Sequence, residues 1–162
     1  MSTGYEKFDT LVIEPDMNAR MRIKQATSAV PTFGKVYQVS TINEGTDKLR
    51  SVDRLDVIFI SAVFSQEETA AFIKQAKDTK TGQDAAYILV LKTQKQESST
   101  VAQNVLVGSD GLLFEPYSVD SLVEITVLAA KVKGERAKSR EEAAIRMILK
   151  DIIEVISVIA HL

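Results

Sequence analysis

The feature that most constrains this chain is an alternation: short β-branched apolar runs recur between longer segments patterned for helices. The runs are Leu11-Val12-Ile13, Val36-Tyr37-Gln38-Val39, Val57-Ile58-Phe59-Ile60, Tyr87 to Leu91 and Leu112-Leu113-Phe114. Between them the sequence predicts a helix over Asp16 to Val30, started near Asp16 or Asn18 and stopped by Pro31. Asn43 to Arg50 reads as a short second helix. Ser65 followed by Glu68 has capping-box spacing and opens a third helix through Lys77. A weaker helix is predicted from about Gln96 to Leu106, ending at Gly108, and Pro116 punctuates the last strand.

Strands that alternate with helices require a parallel sheet with helices on both faces. The runs are continuously apolar rather than alternating, as expected of strands covered on both sides. The fold class is therefore α/β, a doubly wound five-stranded parallel sheet. Ligands and chemistry in such a sheet belong at the carboxyl ends of the strands. Here those ends fall near Glu14, Ser61, Lys92 and Glu115.

Composition narrows the function classes. At 162 residues the chain suits one domain with a normal core, with room for one appended element. Hydrophobic residues at 45% and charged residues at 26% are the balance of a globular protein rather than a disordered one. A net charge of -2 gives no reason to expect nucleic acid or anionic membrane as the main partner. The absence of Cys removes disulfide and thiolate chemistry, and a single His, His161, excludes a His-rich metal site. Met1 to Thr10 has no apolar signal core, and no apolar run approaches the roughly 20 residues of a membrane span. The expectation is a cytoplasmic protein with no metal and no cofactor.

Three motifs carry a resemblance. Leu11-Val12-Ile13-Glu14-Pro15-Asp16 followed by Arg20, Asp56-Val57-Ile58-Phe59-Ile60-Ser61, and Gly108 to Tyr117 around Leu113-Phe114-Glu115-Pro116 stand in order and spacing similar to a response-regulator receiver domain. The resemblance covers roughly residues 8 to 133. It implies a flavodoxin-like sheet of order 2-1-3-4-5 and, in intact members, phosphotransfer to an aspartate. That chemistry uses an acceptor carboxylate, an acidic pair for magnesium, a lysine for the phosphoryl group, and a hydroxyl and an aromatic side chain that report the change. This chain departs at nearly every position. Ser61 stands where the acceptor belongs, and Pro15 interrupts the acidic pair, with Glu14 in place and Asp16 one residue late. Glu115 replaces the lysine, Lys92 (or Thr93, one residue on) takes the hydroxyl position, and Leu112 replaces the aromatic.

The chemistry of these residues agrees. Magnesium needs convergent oxygen ligands, and a carboxylate at position 115 repels an incoming phosphoryl group. Ser61 has no neighbouring base to activate it; its simplest role is a strand-end hydroxyl bonded to backbone. Lys92 and Glu115 end adjacent strands, so an ion pair that locks the pocket and two solvated rim side chains are both open readings.

The receiver-like part is expected over residues 1–133, its last helix running from Ser118 to about Lys133. Residues 134–162 then form a C-terminal helical extension. Gly134 is a weak point, and the basic stretch Lys131, Lys133, Arg136, Lys138 and Arg140 reads as a solvated surface or hinge. Beyond Ala144 the pattern changes. Ile145, Ile148, Leu149, Ile152, Ile153, Val155, Ile156, Ile159 and Leu162 gather on one side at about 100° per residue. Met147 and Val158 widen that sector beyond an ordinary amphipathic stripe. Such a helix needs covering, by its own copy in a second chain or by packing back on its own domain. Ile148, Ile152, Val155, Ile159 and Leu162 form a seam of about two heptads, which suits a helical bundle as well as a coiled coil.

The expected function is a non-enzymatic, phosphorylation-independent signalling or scaffold module. It would bind an unidentified signalling protein and homodimerise through its last helix. The alternatives are an atypical regulator still controlled by phosphorylation and the receiver-like part of a longer regulator whose output domain is absent. A flavodoxin-like small-molecule site is disfavoured, because Glu14-Pro15-Asp16-Met17-Asn18 stands where a Gly-rich phosphate loop belongs.

Overall fold

A computed structural model of the chain describes residues 6–92 and 107–162. Five strands form one parallel sheet in the order β2-β1-β3-β4-β5. They are β1 (Phe8–Ile13), β2 (Phe33–Val39), β3 (Val57–Ser61), β4 (Ala86–Lys92) and β5 (Gly111–Glu115). The helices are α1 (Met17–Ser28), α2 (Ile42–Ser51), α3 (Gln66–Lys77) and α4 (Val119–Ala160). The fold class and strand order are those expected from the sequence. The helix expected over Gln96 to Leu106 lies outside the described residues.

Local chemistry explains where the helices start. Asp16, Thr41, Ser65 and Ser118 each sit in extended backbone and accept a backbone N–H from the first turn that follows. The Ser65 hydroxyl takes the Glu68 N–H at 3.1 Å, the bond its spacing foretold. Each face of the sheet then has its own core. Val12, Val57, Phe59 and Ile88 pack under Ile23 of α1 and under Leu122, Ile125, Ala129 and Val132 of α4. Leu11, Ile13, Ile58, Ile60 and Leu89 pack under Leu49 of α2 and under Phe72, Ile73 and Ala76 of α3.

The last helix differs from expectation in two ways. It does not break at Gly134 but runs as one helix of 42 residues, about 63 Å long. A Cβ at Gly134 would meet nothing within 4 Å, so the glycine faces open space and costs only its propensity, about 1 kcal/mol. Nor is the basic stretch a solvated hinge. Starting beside the end of β5, α4 returns along the sheet to the opposite edge, where Asp56, Asp84 and Asp110 precede β3, β4 and β5. Arg136 donates to Asp110 at 2.7 Å and to the Ala85 carbonyl. Arg140 forms a two-point pair with Asp84, and Lys133 pairs with Glu6 and lies 3.7 Å from Asp56. Asp56, almost fully buried, also accepts the Asp9 N–H and faces Arg54. The boundary predicted at 133/134 thus carries no break: contacts with the sheet reach Arg140, and every residue from Ala137 to Leu162 is exposed.

Candidate functional site

The strand register brings four of the sequence-predicted site residues to one edge. Ile13 pairs with Ile60 and Ser61 with Val90, so Glu14 and Ser61 follow at the ends of neighbouring strands. Lys92 lies directly opposite Glu115 at the ends of β4 and β5. Pro15 and Asp16 form the exposed turn into α1.

Glu14, Asp16, Ser61 and Glu115 are each already engaged. The Glu14 carboxylate is buried and accepts the Asp16 N–H at 3.3 Å. Asp16 in turn caps α1, taking the Asn18 N–H at 3.1 Å. Arg20 binds the turn from the other side, donating to the Glu14 carbonyl at 2.7 Å and the Pro15 carbonyl at 3.1 Å. Ser61 is buried, and its Oγ accepts the Val63 N–H at 3.3 Å. A hydroxyl that accepts a main-chain N–H in a buried strand end is a structural group, and no base among these contacts would draw off its proton. Among the described residues, no cluster of three His, Cys, Asp or Glu side chains is arranged to hold a metal ion.

Glu115 has partners that sequence reasoning missed. Arg22, arriving from α1, lies 3.4 Å from its carboxylate, and the Tyr117 hydroxyl donates to the same oxygen at 2.7 Å. Among the described residues, a cation seen against Glu115 is Arg22, and Lys92 in the adjoining strand is exposed. Burial, and then the bond to Glu115, push the Tyr117 hydroxyl far above the ordinary tyrosine range, so it stays protonated and donating. The result is a charge arrangement opposite to the one its resemblance implies: a carboxylate on β5, neutralised by an arginine from α1. Nothing in the sequence links positions 22 and 115; only the fold, which packs α1 beside α4, brings them together. Leu112 packs into the core under α3.

Solved structures place this architecture. A response regulator from Thermotoga maritima superposes with a TM-score of 0.61 at 16% identity, covering 79% of this chain and 98% of its own. The signal receiver domain of a signal transduction histidine kinase from Syntrophus aciditrophicus gives 0.61 at 18% identity, covering 78% and 92%. The chemotaxis protein CheY4 of Vibrio cholerae gives 0.58 at 15% identity, covering 73% and 94%. The fold is that of a receiver domain. No protein-family model matches the chain, and no curated protein matches it in sequence. No helix among the described residues is long and apolar enough to cross a membrane.

Proposed function

We propose that this receiver-like protein is a signalling or scaffold module that works by protein–protein interaction, independently of phosphorylation and without catalysis of its own. The observation that carries this reading is the free end of α4. Between Glu141 and Leu162 it presents eleven large aliphatic side chains, each about half exposed or more. Fully burying one contributes roughly 1.5–3 kcal/mol, so the segment has a strong tendency to associate even after the entropy of association is subtracted. Its occupant in this reading is a second copy of the chain, a homodimer being the smallest assembly that begins to cover it. The engaged state of Glu14, Asp16, Ser61 and Glu115 supports the other half of the reading. Glu14, Asp16 and Ser61 hold backbone N–H groups, Glu115 holds Arg22 and Tyr117, and a carboxylate stands where phosphoryl binding needs a cation.

Two experiments test it. Sedimentation at tens of micromolar, a range set by ordinary affinities, should show an assembly for the wild type and a monomer for Ile152→Asp. A wild-type monomer sinks the self-association. Intact mass after treatment with acetyl phosphate and magnesium should be unchanged, for the wild type and for Ser61→Asp alone. A stoichiometric added phosphate on the wild type would establish instead a regulator still controlled by phosphorylation.

A further inference from the structure

Self-association through α4, taken from the reading above, names the partner but not the number of copies or their direction. We propose that residues 145–162 of four chains pair in parallel as a four-helix bundle, with the receiver-like bodies arranged outside it. The inference rests on that reading, and on the direction, composition and width of the apolar sector.

Direction comes first. The side of α4 that grips its own sheet is defined by buried Leu122, Ile125, Ala129 and Val132 and by Arg136 and Arg140. At about 100° per residue, that side lies roughly 160° around the helix from Ile145 and Ile152, the centre of the apolar sector. The sector therefore faces away from its own body. Folding it back would need a sharp break, and the helix has none from Val119 to Ala160. Parallel copies meet through the sectors while each body points outward, clear of the others. Lys138 and Glu141 occupy the seam positions before Ile145, so apolar contact begins only beyond the bodies.

Composition comes second. In heptad terms Ile145, Ile152 and Ile159 take the a positions and Ile148, Val155 and Leu162 the d positions. Two-stranded parallel coils favour leucine at d, where this segment has it only at Leu162; the β-branched Ile148 and Val155 at the other two d positions, with Ile at every a, shift the preference to three or four strands.

Width decides the number. One neighbouring helix covers a stripe of roughly 100°. In a closed ring, the two neighbours of each helix are separated by the polygon's interior angle, about 60° for three helices and 90° for four. The covered arc is then about 100° in a pair, 160° in a trio and 190° in a quartet. Within residues 145–162 the arc from Leu162 round to Ile153 spans about 180° without a polar side chain, and Val158 and Met147 extend it past Asp151. Four helices match. The segment exposes on the order of 1,000 Å² of aliphatic surface, against about 800 Å² per partner in a standard interface. A pair centred on Ile145 and Ile152 would cover about half of it and leave Ile153 on one side and Leu162 on the other in water.

Charge sets the direction of pairing. Asp151 borders the sector on one flank and Arg146 on the other. A parallel ring brings each flank against the opposite flank of its neighbour, acid to base. Antiparallel helices related by two-fold axes bring Asp151 flank to Asp151 flank. The segment's polar residues carry two bases, Arg146 and Lys150, and two acids, Asp151 and Glu154, so it lacks the basic face of a helix built for anionic lipid.

The test uses the full chain. Light scattering and sedimentation should give about 71 kDa, four times the 17.8 kDa chain. A double variant, Leu149→Lys with Ile156→Lys, should at least halve that mass, whereas a pair built on a and d alone would be unaffected. Spin labels at Ser139→Cys should all lie within about 35 Å of one another in a parallel bundle; a population beyond about 45 Å marks antiparallel helices and overturns the direction. A dimer or trimer overturns the four-chain bundle while leaving self-association standing. A monomer overturns both, and co-flotation with phosphatidylserine vesicles would assign the sector to lipid instead.

Discussion

Arg136→Ala should loosen the attachment of α4 to the sheet by about 2 kcal/mol. The Arg136–Asp110 pair is half-buried, with side chains 23% and 17% exposed. Breaking a fully buried pair costs about 3–5 kcal/mol and an exposed one under about 1, and this pair falls between. The variant leaves the Ala85 carbonyl without its donor and removes a guanidinium lying 5.9 Å from the Tyr87 ring centroid. Asp110 keeps the Tyr87 N–H at 2.8 Å, which limits the loss. The measurement is urea unfolding in the Ile152→Asp background, so that self-association does not add its own concentration-dependent stability. A cycle with Asp110→Asn should return a coupling of about 1–2 kcal/mol. A loss below about 0.5 kcal/mol, or no coupling, would refute the view that these charges fasten the helix.

Three further outcomes follow from other contacts. Glu115→Lys puts a second cation beside Arg22 and removes the acceptor of the Tyr117 hydroxyl; because Arg22 is half-exposed, the expected loss is only about 1 kcal/mol by urea midpoint. An unchanged midpoint would show that the charge arrangement at this edge has no structural role. Gly134→Ala should raise stability by about 0.5–1 kcal/mol, because the new Cβ meets nothing and the helix gains propensity; a lower Tm would contradict the continuous helix. Burial raises the Tyr87 and Tyr117 hydroxyls above the usual tyrosine value of about 10. Above that pH the unfolded chain sheds these protons before the folded one does. The stability they contribute is therefore complete below about pH 10 and falls as pH rises further, and Tyr117→Phe should make the fall shallower.

The sheet was legible because continuous apolar strands and capping residues are local signals: Ser65 caps where its spacing said it would, and of Asp16 and Asn18 it is Asp16 that caps α1. The carboxyl edge was legible because strand ends are fixed by the same runs, which put Glu14, Ser61, Lys92 and Glu115 together. What sits against Glu115 was not, since Arg22 reaches it through packing between elements 93 residues apart. The basic stretch was misread for a similar reason. Lys133, Arg136 and Arg140 look solvated in sequence, and only the return path of α4 shows that it ends over Asp56, Asp84 and Asp110. Gly134 misled as well, because a glycine signals a break only where the helix lacks anchors on either side, and here Val132 and Arg136 supply them.

The uninterrupted course of α4 makes spacing a matter of rotational phase. The charges at Arg136 and Arg140 fix the azimuth of the rod, and each residue between them and Ile145 adds about 100° to the heading of the apolar sector. Deleting or inserting one residue there would swing the sector a quarter turn or more, and two would aim it back toward its own sheet. A four-residue insertion, by contrast, would shift the heading by only about 40° and lengthen the reach by about 6 Å. The rod also carries angle over distance: with about 30 Å of free helix between Arg140 and Ala160, a 5° tilt where it is fastened displaces its tip by about 3 Å. Small rearrangements among the strand ends that hold Asp84 and Asp110 thereby become a change of aim at the far end.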